Sequence, residues 1–327
     1  MNMSLNRLRV AFLGPRASFS HQAAAESFGG TSADLIPHVS FADAFAAVQQ
    51  QEADYAVIPF ENSTNGSVVQ TLDLLADRND LYKDVTVCGE YYLTVHHCLL
   101  VHKGTYPSGW NGYDGSITKL YTHPQAWGQC ELLLSQYFKG VERQDVSSTS
   151  KAAEIVSKET EERGAAVASR FAADYHGVDV LKENIEDRAD NTTRFLILRN
   201  MRAERVAQPE LEQLNVLGQD RSAAPTTHKT LISFAIDHSL PGALASALLI
   251  FKDHGLNLTS INTRPSLKRA WQYIFFVECE RTPSDENNEA VVRALNDLQH
   301  VTEFRRDWGT WKDRLGASID NADFAMA

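Results

Sequence analysis

The chain has 327 residues, 43% of them hydrophobic, which is enough to build two domains with their own cores. Its net charge of −11 argues against nucleic acid or an anionic membrane surface as a partner, so an anionic ligand would need a local positive site. No apolar run is long enough to span a membrane and residues 1–9 lack the apolar core of a secretory signal, so we expect a cytoplasmic protein.

The first part of the chain alternates short apolar strands with helices, which is typical of an α/β fold. Strands are predicted at residues 10–13, 35–39 and 53–60, and helices at 21–28, 41–50 and 68–75. Ser18 or Ser20 is expected to cap the first of these helices, and Ser40 the second.

A concentrated polar turn, residues 61–67, directly follows the third strand and precedes a helix. The end of a strand before a helix is a common place for an anion, because the first N–H groups of the helix are unpaired. The alternative is an ordinary capped turn, with Ser67 as the N-cap and Gly66 allowing a tight bend.

A second α/β set follows, with predicted strands at 90–102, 119–122, 141–146, 165–168 and 195–199 and predicted helices at 124–138, 150–161 and 170–175. The periodicity stops at residues 200–228, which we interpret as a linker. Beyond it the order is strand 230–237, helix 242–254, strands 256–264 and 271–280, helix 285–299 and strand 301–308, the βαββαβ order of a ferredoxin-like domain.

Four sequence blocks resemble the prephenate dehydratase family, in the order in which that family has them. They are Gly14-Pro15-Arg16-Ala17-Ser18-Phe19-Ser20, Ile58-Pro59-Phe60-Glu61-Asn62-Ser63, Thr122-His123-Pro124-Gln125 with Gln129-Cys130, and Asn191-Thr192-Thr193-Arg194-Phe195. The resemblance extends over nearly the whole chain and includes a C-terminal ACT regulatory domain.

The resemblance implies a two-lobed catalytic domain like that of periplasmic binding proteins, followed by the ferredoxin-like ACT domain. The implied boundaries are 8–200 for the catalytic domain, with lobes 8–88 plus 177–200 and 89–176, then a linker at 201–228, the ACT domain at 229–316 and a tail at 317–327. No chorismate mutase segment precedes Val10, so we expect the monofunctional form.

The implied reaction is the decarboxylating dehydration of prephenate to phenylpyruvate, a step of phenylalanine biosynthesis, without metal or cofactor. Because aromatisation drives the reaction, the enzyme must mainly hold a dianion and assist the departing hydroxyl. The alternatives are an arogenate dehydratase, with the same chemistry on an aminated side chain, and a non-catalytic amino-acid sensor.

By this resemblance, the catalytic residues are Thr193, Asn62, Gln129 and Glu61. Thr193 would donate to the departing ring oxygen, the two amides would donate to carboxylate or carbonyl oxygens, and Glu61 would orient or tune the site. The implied substrate-binding residues are Ser63, Thr122, Arg194, Ser18 and Phe19. Arg194 is suited to grip a carboxylate, but an ion-pair role is the open alternative.

The ACT resemblance implies an allosteric phenylalanine site built from Gly242, Ala243 and Leu244 with Asn262, Thr263, Arg264 and Pro265. Asn262-Thr263 stands where the family usually has Glu-Ser, which leaves the strength of the inhibition open. A homodimer, or a tetramer built from dimers, is expected.

Histidines and cysteines indicate no metal site. The four cysteines have no regular spacing, and His96 and His97 are adjacent on a predicted strand, where neighbours face opposite sides. His123, just before a helix-starting proline, is interpreted as structural.

Overall fold

The computed structural model describes residues 7–29, 31–106, 109–110, 112, 115–159, 163–203, 227–281 and 289–315. Its strands are β1 (Leu8–Leu13), β2 (Ala33–His38), β3 (Tyr55–Asn62), β4 (Gly66–Ser67), β5 (Val85–Thr94), β6 (Cys98–Val101), β7 (Lys119–Thr122), β8 (Glu142–Asp145), β9 (Gly164–Ala168), β10 (Asp179–Lys182), β11 (Thr192–Asn200), β12 (His228–Ala235), β13 (Asn257–Pro265), β14 (Tyr273–Arg281) and β15 (Phe304–Lys312). Its helices are α1 (Phe19–Ser27), α2 (Phe41–Gln49), α3 (Val69–Leu75), α4 (Pro124–Trp127), α5 (Glu131–Tyr137), α6 (Thr149–Lys158), α7 (Arg170–His176), α8 (Ala243–Asp253) and α9 (Glu289–Leu298).

The first lobe is a sheet in the order β2-β1-β3-β11-β5, with β4 paired to β3. Alternate residues of β3 face opposite layers: Tyr55 and Val57 pack on the α1 side, and Ile58 and Phe60 pack on the side of α2 and α3. Burial on both faces explains why this strand reads as a continuous apolar run.

The second lobe is a sheet in the order β10-β6-β9-β7-β8. The predicted strand 90–102 is in fact two strands, because β5 belongs to the first sheet and β6 to the second. The chain therefore crosses between lobes at residues 95–97 and returns at 183–191, both later than the predicted boundaries after residues 88 and 176. Sequence periodicity is the same for one strand and for two strands in line, so it could not place these crossings.

The two crossover segments, residues 95–97 and 183–191, lie side by side. The Val95 N–H donates to the Asn191 carbonyl at 2.7 Å, and the Ile185 N–H donates to the His97 carbonyl at 2.9 Å. The lobes are thus joined by a short, hydrogen-bonded pair of segments.

Two local predictions were wrong and two were confirmed. The predicted helix 124–138 is broken into α4 and α5 around Gly128, where the Asp187 carboxylate caps the second helix by accepting from the Leu132 N–H at 3.0 Å. Ser67 does not cap α3, because it pairs with Glu61 in β4 and Val68 takes the N-cap position. Ser18 caps α1 and Ser40 caps α2, as predicted.

The C-terminal domain has the predicted βαββαβ order, with a fully antiparallel sheet in the order β13-β14-β12-β15. One face of this sheet packs against α8 and α9. The other face packs on the first lobe, where Leu231, Phe276 and Trp308 share a core with Leu72 and Leu75 of α3. The predicted fold class is confirmed: two α/β lobes and a ferredoxin-like domain.

Parts of the predicted linker, of the helix at 285–299 and of the tail lie outside the described residues, namely 204–226, 282–288 and 316–327. Within the described ranges, no helix combines the length and the apolar character needed to cross a membrane.

Candidate active site

The end of β3 meets the start of β11, which brings together two of the sequence blocks. Asn62 is the register partner of Thr193, and Glu61 is the partner of Arg194. Beyond the last pair, the Ser63 N–H donates to the Thr192 carbonyl at 2.8 Å, and the Ser63 hydroxyl accepts from the Thr192 N–H at 2.9 Å. Residues about 130 positions apart in sequence thus form one wall beside the crossover.

The side chain of Asn62 is held in one orientation. Its Oδ1 accepts from the N–H groups of Thr64, at 3.0 Å, and Asn65, at 2.9 Å, so its Nδ2 must be the donor on the opposite side. Nδ2 donates to Asn191 Oδ1 at 2.9 Å and to Thr193 Oγ1 at 3.0 Å. Both amide hydrogens are therefore used within the protein, which differs from the expected role of Asn62 as a donor to substrate.

The hydroxyl of Thr193 remains available as a donor. Its oxygen accepts from Asn62, and no described residue accepts a hydrogen bond from it. A hydroxyl whose oxygen receives a hydrogen bond is polarised and becomes a better donor. Thr193 is partly exposed and can therefore donate to a ligand oxygen in the cleft, by which we mean the space between the two lobes beside residues 95–97 and 183–191.

Gln129 presents a second donor, from the second lobe. Its Oε1 lies 2.8 Å from His97 Nε2, and because an amide oxygen only accepts, the His97 ring donates here. The Gln129 Nε2 donates to no residue that the structure describes. The second crossover also holds Gln129 in place, since its carbonyl accepts from the Asp187 N–H at 2.7 Å.

His97 is buried in the first crossover segment, next to Gln129. Burial lowers the pKa of His97, so the ring is neutral at physiological pH. Its ring meets Phe19 of α1 edge-on, with 5.5 Å between centroids. Phe19 therefore lies at the site as expected, but it contacts His97.

His96 points to a different partner. Its Nδ1 lies 2.7 Å from a Glu186 carboxylate oxygen, and this hydrogen bond raises the pKa of His96 in spite of partial burial. Burial alone would raise the pKa of Glu186, but the hydrogen bonds from His96 and from the His97 N–H lower it. Among the described residues, no group of three or more His, Cys, Asp or Glu is arranged to hold a metal ion.

The sequence model of the prephenate dehydratase family matches residues 10–203, more than half of the chain. The chain belongs to the prephenate dehydratase family. It is 37% identical to the bifunctional chorismate mutase/prephenate dehydratase of Aquifex aeolicus, over 94% of this chain and 75% of that protein. It is 34% identical to arogenate dehydratase/prephenate dehydratase 2, chloroplastic, of Arabidopsis thaliana, over 91% of this chain and 70% of that protein.

A solved prephenate dehydratase has the same fold. The structure of the enzyme from Arthrobacter aurescens in complex with L-Phe superposes with a TM-score of 0.75 at 26% identity, covering 93% of this chain and 90% of that one. The family signature thus coincides in this chain with the wall formed by Asn62 and Thr193.

Three residues of the prephenate dehydratase blocks use their hydroxyls inside the protein. Thr122 is fully buried and donates to the Val167 carbonyl at 2.6 Å, so its hydroxyl does not reach the cleft. Ser18 caps α1 by accepting from the His21 N–H, and Ser63 ties β3 to β11. The geometry assigns Thr122 a structural role, in contrast to the expectation of substrate contact.

Arg194 does not face the cleft either. Its guanidinium is paired with the carboxylates of Glu90, at 2.7 Å, and Glu278, and all three side chains are at most 7% exposed. Lys229 joins the same cluster, 3.4 Å from Glu90 and 2.8 Å from Asp313. We call these five residues the interdomain ion cluster. The expected grip of Arg194 on a substrate carboxylate was wrong, because both of its partners are protein carboxylates.

Glu61 is partly exposed near the end of β3, next to Asn62, and no described residue pairs with its carboxylate. Its predicted orienting role stays a prediction.

The expected effector residues lie on two elements of the ACT-like domain. Gly242 precedes α8 with a φ of 84°, a conformation that glycine adopts without strain, and Ala243 and Leu244 begin the helix. Asn262, Thr263, Arg264 and Pro265 form the end of the edge strand β13.

Residues of β13 also contact the first lobe, which sequence reasoning did not anticipate. Asn262 Oδ1 accepts from the Ser67 hydroxyl at 2.6 Å. Arg264 binds both oxygens of Asp73 at 2.9 Å, and the Pro265 carbonyl accepts from Arg78 at 2.9 Å. The strand thus touches the turn that begins at Asn62.

Sequence reasoning also missed Glu186 and the role of Asn191. Glu186 carries no local signal, since its position depends on the crossover. Asn191 stands inside a recognised block, and an asparagine two residues before Thr193 was the available signal.

Proposed function

We propose that this protein converts prephenate to phenylpyruvate, carbon dioxide and water, and so serves phenylalanine biosynthesis in the cytoplasm. The bond to the ring carboxylate breaks, its electrons move into the ring, and the bond to the ring hydroxyl breaks, with one proton taken up to form water. The reaction needs a donor at the departing oxygen and donors for the substrate's oxyanions. Family membership and the donors of Thr193 and Gln129 support this proposal.

The observation that carries the mechanism is the hydrogen bond from Asn62 to Thr193 at 3.0 Å. It occupies the Thr193 oxygen as an acceptor and leaves the hydroxyl hydrogen for the departing oxygen. As negative charge develops there, a fixed donor stabilises it without reorganisation. Gln129 supplies a second neutral donor, for a substrate carboxylate or carbonyl, and Glu61 adjusts the local field.

The test is to follow phenylpyruvate formation from prephenate with wild type, Thr193→Ala and Thr192→Ala. Loss of an assisting donor should lower kcat by about 10²–10⁴-fold in Thr193→Ala. Thr192→Ala is the matched control, since its hydroxyl donates to the Asp190 carbonyl and should leave kcat near wild type. Near-normal turnover in Thr193→Ala would reject this role.

Arogenate is the second candidate substrate, because a relative at 34% identity carries both dehydratase names. The two substrates differ at the side chain and share the departing ring hydroxyl, so the Thr193 donor suits both. Competing them at equal concentration and comparing kcat/KM identifies the preferred one. A protein that binds phenylalanine but turns over neither substrate would instead be a sensor.

We further propose that phenylalanine regulates the enzyme through Gly242–Leu244 and Asn262–Pro265. The Arthrobacter relative was solved with L-Phe, and a cavity of about 380 Å³ beside Pro265 is lined by Trp271, Tyr273 and Arg269. This cavity is open to solvent and mainly apolar, and Pro265 joins it to the end of β13. The contacts of Asn262 and Arg264 with the first lobe give the effector strand a direct route to the active-site turn.

The edge strand β13 supports the proposal of a homodimer, or a tetramer built from dimers. Within the described part of the chain, β13 has a neighbour on one side only, and Ile261 on it is 51% exposed. An unpaired edge with apolar side chains favours pairing with another copy. Light scattering on wild type and Ile261→Lys tests this, with a smaller assembly expected for the variant.

A further inference from the structure

Asn191 is a buried polar residue beside the candidate donors. Only 2% of its surface is exposed, and it stands just before β11, in the second crossover segment. Its carbonyl accepts from the Val95 N–H at 2.7 Å, which fixes its backbone to the first crossover segment. The side chain is therefore held at the point where the lobes join.

The side-chain oxygen of Asn191 receives two hydrogen bonds from the active-site turn. Asn62 Nδ2 donates to it at 2.9 Å and the Thr64 hydroxyl donates at 3.2 Å. Since the N–H groups of Thr64 and Asn65 fix the Asn62 amide, the atom of Asn191 that faces Asn62 must be the acceptor.

The side-chain nitrogen of Asn191 is buried and has no hydrogen-bond partner among the described residues. A buried donor without a partner is destabilising, and such groups are rare in native proteins. An apolar side chain of similar size would avoid this penalty. The acceptor oxygen is thus the part of the residue that the site uses.

We propose that Asn191 is a positioning residue for the dehydration: it holds Asn62 so that Asn62 donates to Thr193 and the Thr193 hydroxyl hydrogen stays directed at the substrate. This inference rests on the proposed function. Asn191 itself does not touch the substrate, because its unpaired nitrogen is enclosed by protein. Small misplacements of a reacting group can lower the rate by about 10²-fold.

The experiment measures kcat and KM for prephenate in Asn191→Ala, Asn191→Leu and Asn191→Asp, with melting temperatures. We expect Ala and Leu to lower kcat by about 10²-fold with little change in KM. Asp keeps the acceptor oxygen and should retain more of kcat than Ala or Leu, while its second carboxylate oxygen, buried without a partner, should lower the melting temperature. Both variants remove the unpaired nitrogen and the acceptor, but Leu also fills the buried volume that Ala leaves empty, so it should fold even if the Ala variant does not.

A second arm repeats Asn191→Leu in an Asn62→Ala background. If Asn191 acts through Asn62, the second substitution adds little to the first, whereas independent residues give additive effects. Asn200→Ala is the matched control. Asn200 is a buried asparagine at the far end of β11, where it donates to the carbonyls of Val48 and Gln49, so its loss should lower stability with kcat unchanged.

Unchanged kcat in folded Asn191→Leu, a loss in KM alone, or additivity with Asn62→Ala would each overturn the inference. The wild-type protein is the separate check on the proposed function. If wild type turns over neither prephenate nor arogenate, the dehydratase assignment itself fails.

Discussion

Removing Arg194 should lower the free energy of unfolding more than the loss of any single exposed ion pair. The interdomain ion cluster contains two cations and three carboxylates, and Arg194 lies between Glu90 on β5 and Glu278 on β14. In Arg194→Met only Lys229 is left to face the three carboxylates. Breaking a buried ion pair from one side costs about 3–5 kcal/mol.

Glu278→Gln should cost less. Arg194 keeps Glu90 at 2.7 Å, and the single amide oxygen at position 278 can still accept from Arg194, while the amide nitrogen takes the place of the oxygen that accepts from the Thr259 hydroxyl. What is lost is one charge-assisted hydrogen bond, worth about 1.5–3 kcal/mol. The control is Arg293→Met, whose partner Glu289 is exposed, with a change within about 0.5 kcal/mol.

The assay is urea unfolding followed by tryptophan emission, because Trp308 and Trp311 are buried and the Arg194 guanidinium lies 6.0 Å from the centre of the Trp311 ring. The expected order of destabilisation is Arg194→Met, then Glu278→Gln, then the control. Turnover should fall in Arg194→Met because the substitution is adjacent to Thr193. Equal midpoints for Arg194→Met and Arg293→Met would refute the reasoning that this cluster joins the two domains.

Three further outcomes are expected. In NMR titrations, His96 should titrate above and His97 below the ordinary histidine value of about 6.5. Because the pKa of His97 is lowered in the folded state, its contribution to stability is present above about pH 6.5 and is lost as pH falls through the lowered pKa. Because the pKa of His96 is raised, its contribution is present below about pH 6.5 and is lost as pH rises through the raised pKa. Reversed titrations would contradict this. Cys98 is only 2% exposed and burial raises its pKa to about 11, so a thiol reagent at pH 8 should modify it only after urea is added, and rapid labelling of Cys98 in the native protein would oppose this. Asp73→Asn weakens the contact with β13 and should reduce the response of the prephenate saturation curve to phenylalanine, with kcat in its absence unchanged; an undiminished response would exclude this route.

The family blocks predicted which residues gather at the site, but not what each side chain does there. Thr193 and Asn62 do meet, and their roles follow from one hydrogen bond. Thr122 and Arg194 belong to the same blocks, yet burial directs their polar groups to protein partners. Burial and partner choice depend on contacts between distant segments, which a local pattern does not contain.

The predicted lobe boundaries were wrong for a related reason. No glycine, proline or other turn signal separates β5 from β6 in sequence, and only the three residues 95–97 between them change sheets. Ser67 has the side chain of an N-cap, but pairing with Glu61 draws it into β4. In both cases the pairing of strands in the sheet, and not local propensity, determined the structure.

The two available donors are carried by different lobes: Thr193 belongs to the first sheet, and Gln129 to the loop between two helices of the second lobe. A rotation about the crossover segments would change the separation of the donors while leaving every hydrogen bond within each lobe intact. A change in the angle between the lobes would therefore be enough to stop turnover, even if the structure within each lobe stayed the same. Inhibitors that fix an open angle would then act without resembling the substrate.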